Sequence, residues 1–199
     1  MSSIAKEKLA RIGELTEEER AKLKYSEQLT LLLAEYFTNK LSPDDLWKEL
    51  RKHKDEGRGF LLKDTQLKLL DAMKLSSRDV DIDKLRRGLL AAETLKDNGD
   101  YAGLEHDLKS IEDLRRQYKE ERGRVYNKIK DDVEKQVRLA AQRLAAQTAV
   151  QRSAIDVQGS VEASSKASSD WKNFVSKHDS TYAERFRDQI TRIQEKLNV

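Results

Sequence analysis

"YAGLEHDLKSIEDLRRQYKEERGRVYNKIKDDVEKQVRLAAQRLAAQ", residues 101–147, decides how this chain folds. It contains no proline, and Leu104, Leu108, Ile111, Tyr118, Val125, Ile129, Val133, Val137, Ala140 and Leu144 recur at steps of three, four and seven. A period near 3.6 is that of one amphipathic helix. The pattern predicts a continuous helix from Tyr101 to about Asp156, about 80 Å long at 1.5 Å per residue. A rod of that length buries its stripe only against other elements.

Its partner is predicted in the tail. "DVQGSVEASSKASSD", residues 156–170, reads as a turn followed by a small-residue helix. Trp171, Val175, His178, Tyr182, Phe186, Ile193 and Leu197 then form a second stripe at helical spacing. Thr181 and Glu184 have the spacing of a capping box, which would interrupt this helix at "KHDST"; a continuous or gently broken helix is expected. Residues 100–199 thus predict a long antiparallel, coiled-coil-like helical hairpin.

The end of the long helix repeats a five-residue unit, "RLAAQRLAAQ", at residues 138–147. On a helical wheel Val133, Val137, Ala140, Leu144, Thr148 and Ile155 share one face, and Arg138 and Arg143 flank it on opposite sides. No single basic stripe results. Leu139, Ala146 and Val150 occupy the remaining side, so the repeat predicts a packing surface enclosed by several neighbours.

Upstream, residues 1–99 read as a domain of four or five short helices. Thr16 and Glu19 form a capping box for a helix to about Lys40, whose second half carries Leu29, Leu32, Leu33, Tyr36 and Phe37. Ser42 as N-cap with Pro43 at the first helical position starts the next helix, and Gly57 ends it. "FLLKDTQLKLLDAMKL" is a further apolar helix; beyond it Ser77, Asp79 and Asp81 compete as caps, and Asn98-Gly99 suits a left-handed C-terminal cap. The fold class is all-α, in keeping with one proline, eight glycines and a composition of strong helix formers.

Charge is nearly balanced, 39 basic against 36 acidic residues, so bulk charge supplies no long-range pull towards nucleic acid or a membrane. The absence of cysteine removes thiolate nucleophiles, disulfides and cysteine metal sites, and fits a reducing compartment. The first twenty residues lack a signal-peptide core, and the most apolar run, residues 29–37, is too short for the ~20 residues that span a bilayer. A cytoplasmic protein without a transmembrane segment is expected.

The spacings that helical enzymes need are missing from the sequence. Leu50, Gly103 and Val175 stand three residues before His53, His106 and His178, so no Glu-x-x-His di-iron motif exists. There is no zincin motif, phosphate loop or nucleophile elbow. His53 reads as a solvated residue in a last helical turn, His106 as one of three adjacent polar residues that point apart, and His178 as half-buried and hydrogen-bonded. No catalytic, cofactor or metal residues are expected.

Arg115 and Arg122 break the apolar stripe of the long helix, seven residues apart and beside Tyr118 and Tyr126. Buried arginine must meet a carboxylate, reach solvent past an edge of the seam, or bind something anionic. Arg115, Tyr118, Arg122 and Tyr126 are therefore the candidate partner-binding residues. The sequence points to a non-enzymatic interaction or scaffold protein that binds other proteins or itself. The alternative is nucleic-acid or ribosome binding, resting on eight basic against three acidic residues between positions 122 and 152.

Overall fold

The computed structural model describes residues 16–147 and 157–198. Every regular element among them is a helix, and there is no strand. In chain order these are α1 (Glu17–Phe37), α2 (Pro43–Asp55), α3 (Phe60–Asp71), α4 (Asp79–Glu93), α5 (Tyr101–Gln147), α6 (Val157–Ala167) and α7 (Ser169–Asn198). None is long and apolar enough to cross a membrane. The chain divides into two compact units, one of residues 1–108 with 190–199, the other of residues 109–189.

The local chemistry sets most helix starts. The Thr16 side chain accepts from the Glu19 N–H while Glu19 reaches back to the Thr16 N–H, completing the capping box of α1. Ser42 caps α2 through the Asp45 N–H, with Pro43 at the first position. Gly57, at φ 78°, turns the chain out of α2 in a conformation that costs glycine little. Asn39, at φ 62°, takes the same role after α1.

Three expected boundaries differ. α4 is entered from Arg78, whose own side chain makes no cap; its guanidinium instead holds Asp81 at 2.8 Å, so none of Ser77, Asp79 and Asp81 serves as the N-cap. α4 ends at Glu93 rather than at Asn98-Gly99, and Gly99 is not left-handed. It is glycine for space, because a Cβ there would lie 2.6 Å from the Glu93 carbonyl oxygen. The break in the tail falls at Ser168, whose hydroxyl accepts from the Trp171 N–H at 3.2 Å. Thr181 donates back to the Lys177 carbonyl instead of capping, and α7 runs unbroken through residues 176–181.

The first unit has an aliphatic core. Leu29, Leu33 and Tyr36 of α1, Leu46 and Leu50 of α2, Leu61, Leu69 and Leu70 of α3, and Leu89 of α4 are essentially inaccessible. Each such side chain contributes about 1.5–3 kcal/mol on leaving water. Burial pushes the Tyr36 phenol up; its hydroxyl donates to the Lys84 carbonyl at 2.5 Å, and the Lys84 ammonium donates to the Tyr36 carbonyl. Leu104 and Leu108 of α5 and Ile193 of α7 complete the core.

A chain of hydrogen bonds fixes where α5 begins. The Glu93 carboxylate accepts from Gln66 Nε2 at 2.6 Å, from the Asp100 N–H at 2.7 Å and from Lys96 at 3.0 Å. Burial alone would raise the Glu93 carboxyl, but these donors hold it below its ordinary value. Asp100 in turn accepts from the Gly103 N–H at 2.9 Å and so caps the long helix. At the other end of the chain, Lys196 meets Asp107 at 2.6 Å and Gln194 donates to Asp71 at 2.8 Å.

In the second unit, Tyr126 touches Trp171, and Tyr118 touches both His178 and Tyr182. Rising numbers on α5 go with falling numbers on α7, so the two run in opposite senses here. α6, rich in serine, alanine and glycine, buries Val161 and Ser165. The repeat at residues 138–147 behaves otherwise than expected. Leu139 is 53% exposed, Arg138, Ala140, Gln142 and Arg143 are exposed, and Val133 and Val137 are only half-buried. Among the described residues, those around it leave this stretch open to solvent. Thr148, Val150, Arg152, Ile155 and the expected helix end at Asp156 lie outside the described residues, as do the side chains of Leu144 and Ala146.

Candidate functional site

Helical spacing on two antiparallel elements builds one aromatic and charged cluster in the second unit. α5 supplies Tyr118, Glu121, Arg122 and Tyr126, successive turns of one face. α7 supplies Trp171, Phe174, His178, Asp179, Tyr182 and Arg185 at the same spacing.

Arg122 lies at its centre. Its Nη1 donates to Asp179 Oδ1 at 3.0 Å and to the Tyr118 hydroxyl at 2.6 Å, and its guanidinium sits 5.8 Å from the Tyr118 ring and 5.6 Å from that of Trp171. Tyr118 donates to the same Asp179 oxygen at 2.9 Å. One level along, Tyr182 donates to Glu121 at 2.9 Å and stacks beneath Arg185 at 5.0 Å. Burial raises both phenols, and a carboxylate partner adds to this at each: Asp179 at Tyr118, Glu121 at Tyr182. They stay neutral at physiological pH and act as donors.

His178 is enclosed by rings, with Tyr118 at 4.9 Å, Phe174 at 4.8 Å and Tyr182 at 4.6 Å. It is 6% exposed and neither ring nitrogen makes a hydrogen bond; Glu121 lies 3.5 Å from Nε2 and Asp179 3.8 Å from Nδ1. This corrects the expectation of a half-buried, hydrogen-bonded histidine. His53 is also corrected, since it is half-buried with an unpartnered Nδ1, and burial lowers its pKa. His106 is exposed. Among the described residues no group of three or more His, Asp or Glu side chains is placed to hold a metal ion.

The four candidate residues fare differently. Tyr118, Arg122 and Tyr126 come together against α7 and form the inner side of the helix pairing. Arg115 is 3% exposed and is not an unpaired charge, so it does not snorkel to solvent. Arg122 satisfies its charge on Asp179. The sequence reading missed Asp179, Glu121 and Phe174, because a partner 57 or 61 residues away leaves no local signal. The pairing of the two stripes would have found them, since fixing Tyr126 against Trp171 sets the register for the rest.

Beside this cluster two adjoining hollows open between α5 and α7. One, about 340 Å³, lies over Phe174, His178 and Tyr182; the other, about 390 Å³, adjoins Gln117, Glu120 and Arg124, and both include Glu121 and Tyr182.

The fold and cluster define an all-helical protein whose conspicuous feature is a charged aromatic seam between antiparallel helices. The chain belongs to a protein family of unknown function, DUF6657, whose model matches residues 47–198. That stretch includes the whole seam and leaves out α1, although α1 supplies Leu29, Leu33 and Tyr36 to the core. No curated protein and no solved structure matches the chain.

Proposed function

We propose that the protein is a non-enzymatic interaction module acting in the cytoplasm. In this reading a bundle of short helices carries an antiparallel, coiled-coil-like hairpin of α5 with α6 and α7, and the hairpin binds another protein or a second copy. One observation supports it above the rest. Side chains that would be central in a complete bundle, namely Val125, Tyr126, Ile129, Val133, Val137 and Trp171, remain only half-buried, and further along the same two helices hollows stand open at Glu121, Phe174, His178 and Tyr182. Among the described residues two helices form this seam, and a two-helix seam is a surface with one side still to cover. Arg115, Tyr118, Arg122 and Tyr126 then act from within, setting the spacing and register of the surface a partner meets.

The nucleic-acid alternative is less well supported. Lys135 and Arg138 each face an acid of their own helix, Asp132 at 3.4 Å and Glu134 at 2.5 Å, which reduces the charge on offer to phosphates.

A photo-crosslinking residue at Thr181 in the full-length chain tests the reading, with the same residue at Lys48 on α2 as the control. Adducts with protein at position 181 and not at 48 are expected. Absence of protein adducts at 181, or salt-sensitive adducts with nucleic acid in their place, would contradict it.

A further inference from the structure

We infer that the occupant of the groove between α5 and α7 is the same groove of a second copy of this chain, completing a four-helix bundle about a two-fold axis parallel to the helices. The pairing rests on the reading of the second unit as an interaction surface and names its partner.

The groove carries opposite charge on its two rims. The α5 rim holds Glu120 and Glu121, with Gln117 on one side and Arg124 on the other; Arg116, one turn back, stands 3.9 Å from Glu120, at the outer limit of an ion pair. The α7 rim holds Lys177 and Arg185, two turns apart, with Thr181 between them. The floor is aromatic: Phe174, His178 and Tyr182. The rims also share a level, because Glu121 accepts from Tyr182 at 2.9 Å, and Tyr182 lies between Lys177 and Arg185 along α7.

Two such faces fit under one symmetry operation. Rotation by 180° about an axis running along the groove brings α5 of each copy over α7 of the other and keeps every residue at its own level. Glu120 and Glu121 of one copy then fall between Lys177 and Arg185 of the other, and the reciprocal contact follows from the symmetry. Helices that face each other across the interface run antiparallel, as in an up-down-up-down bundle. A partner with a uniformly charged surface would be repelled by one rim, whereas a second copy is complementary to both. The aromatic floor, with a histidine that hydrogen-bonds nothing, loses its remaining contact with water when the groove closes.

Sedimentation of the full-length chain at micromolar concentration tests the pairing. Two variants are used: Gln117→Lys/Glu120→Lys turns the acidic rim basic without touching the Glu121–Tyr182 bond, and Lys177→Glu/Arg185→Glu turns the basic rim acidic. The wild type is expected to dimerise, each variant alone to bind itself at least about tenfold more weakly, and an equimolar mixture of the two to recover the dimer, since the mixed pair is complementary on both sides. A wild type that stays at 23.0 kDa, variants that dimerise unchanged, or a mixture that fails to recover would each overturn the inference. If either variant loses its helical circular dichroism, the salt dependence of wild-type dimerisation replaces it. Weakening with salt supports the pairing, and indifference to salt overturns it. Adducts with a different protein at Thr181, together with a monomeric wild type, would remove the second copy and leave the broader reading standing; no protein adducts at all would remove both.

Discussion

His178 puts the chemistry of the seam in its simplest form. A buried polar group without a hydrogen bond costs about 1–3 kcal/mol, yet this ring sits among three aromatic side chains with both nitrogens unbonded. Packing and ring stacking therefore account for its place. His178→Phe keeps the shape and removes the unsatisfied nitrogens, so thermal unfolding is expected at an unchanged or higher Tm. A Tm lowered by several degrees would show that the imidazole makes an interaction this account omits. Sequence spacing located His178 on the apolar stripe correctly, but could not foresee its lack of partners, because those depend on which α5 residues lie opposite. The same is true of Arg122. Its position on a buried stripe signalled that a counter-charge was required, while the identity of Asp179 depended on the register of two helices.

The elements were legible where one local signal stands without a competitor. A capping box at Thr16, a serine followed by proline at Ser42 and a left-handed glycine at Gly57 all draw on residues within one turn. Two kinds of boundary were misjudged. At the end of α4 a distant contact enters, since Glu93 is held by Gln66, 27 residues away. In the tail two local signals compete: Ser168 caps through the Trp171 N–H, whereas the Thr181 hydroxyl donates to the Lys177 carbonyl within a continuous helix. Within α5, Gly123 is a helix-interior glycine that no neighbour explains, as a Cβ there would meet nothing within 4 Å. Gly123→Ala should stabilise the protein by about 0.5–1 kcal/mol through backbone entropy and helix propensity. Denaturant unfolding measures this directly. A destabilised variant would mean that the backbone at 123 departs from regular helix when the protein is unbound.

At the scale of the molecule, the all-α class followed from composition and periodicity alone, because little in the sequence interrupts helices. What covers the seam did not follow. The repeat at residues 138–147 has the all-round apolar or small character of an enclosed helix, yet Leu139 is 53% exposed and its neighbours are open to solvent. A sequence reports that a surface is made for burial but not whether the covering comes from the same chain. That difference separates a finished domain from an assembling one; the second copy is argued from the charged rims of the α5–α7 groove, which the repeat does not line.

The chain has no cysteine, so Thr181→Cys places a single spin label at the groove rim of each full-length molecule. Double electron–electron resonance then reads the distance between labels on associated chains. A short, narrow distance distribution at Thr181, with a longer or absent one for Lys48→Cys on α2, is the predicted result. No dipolar modulation at Thr181 under conditions where the chain is concentrated would contradict the pairing of the two grooves.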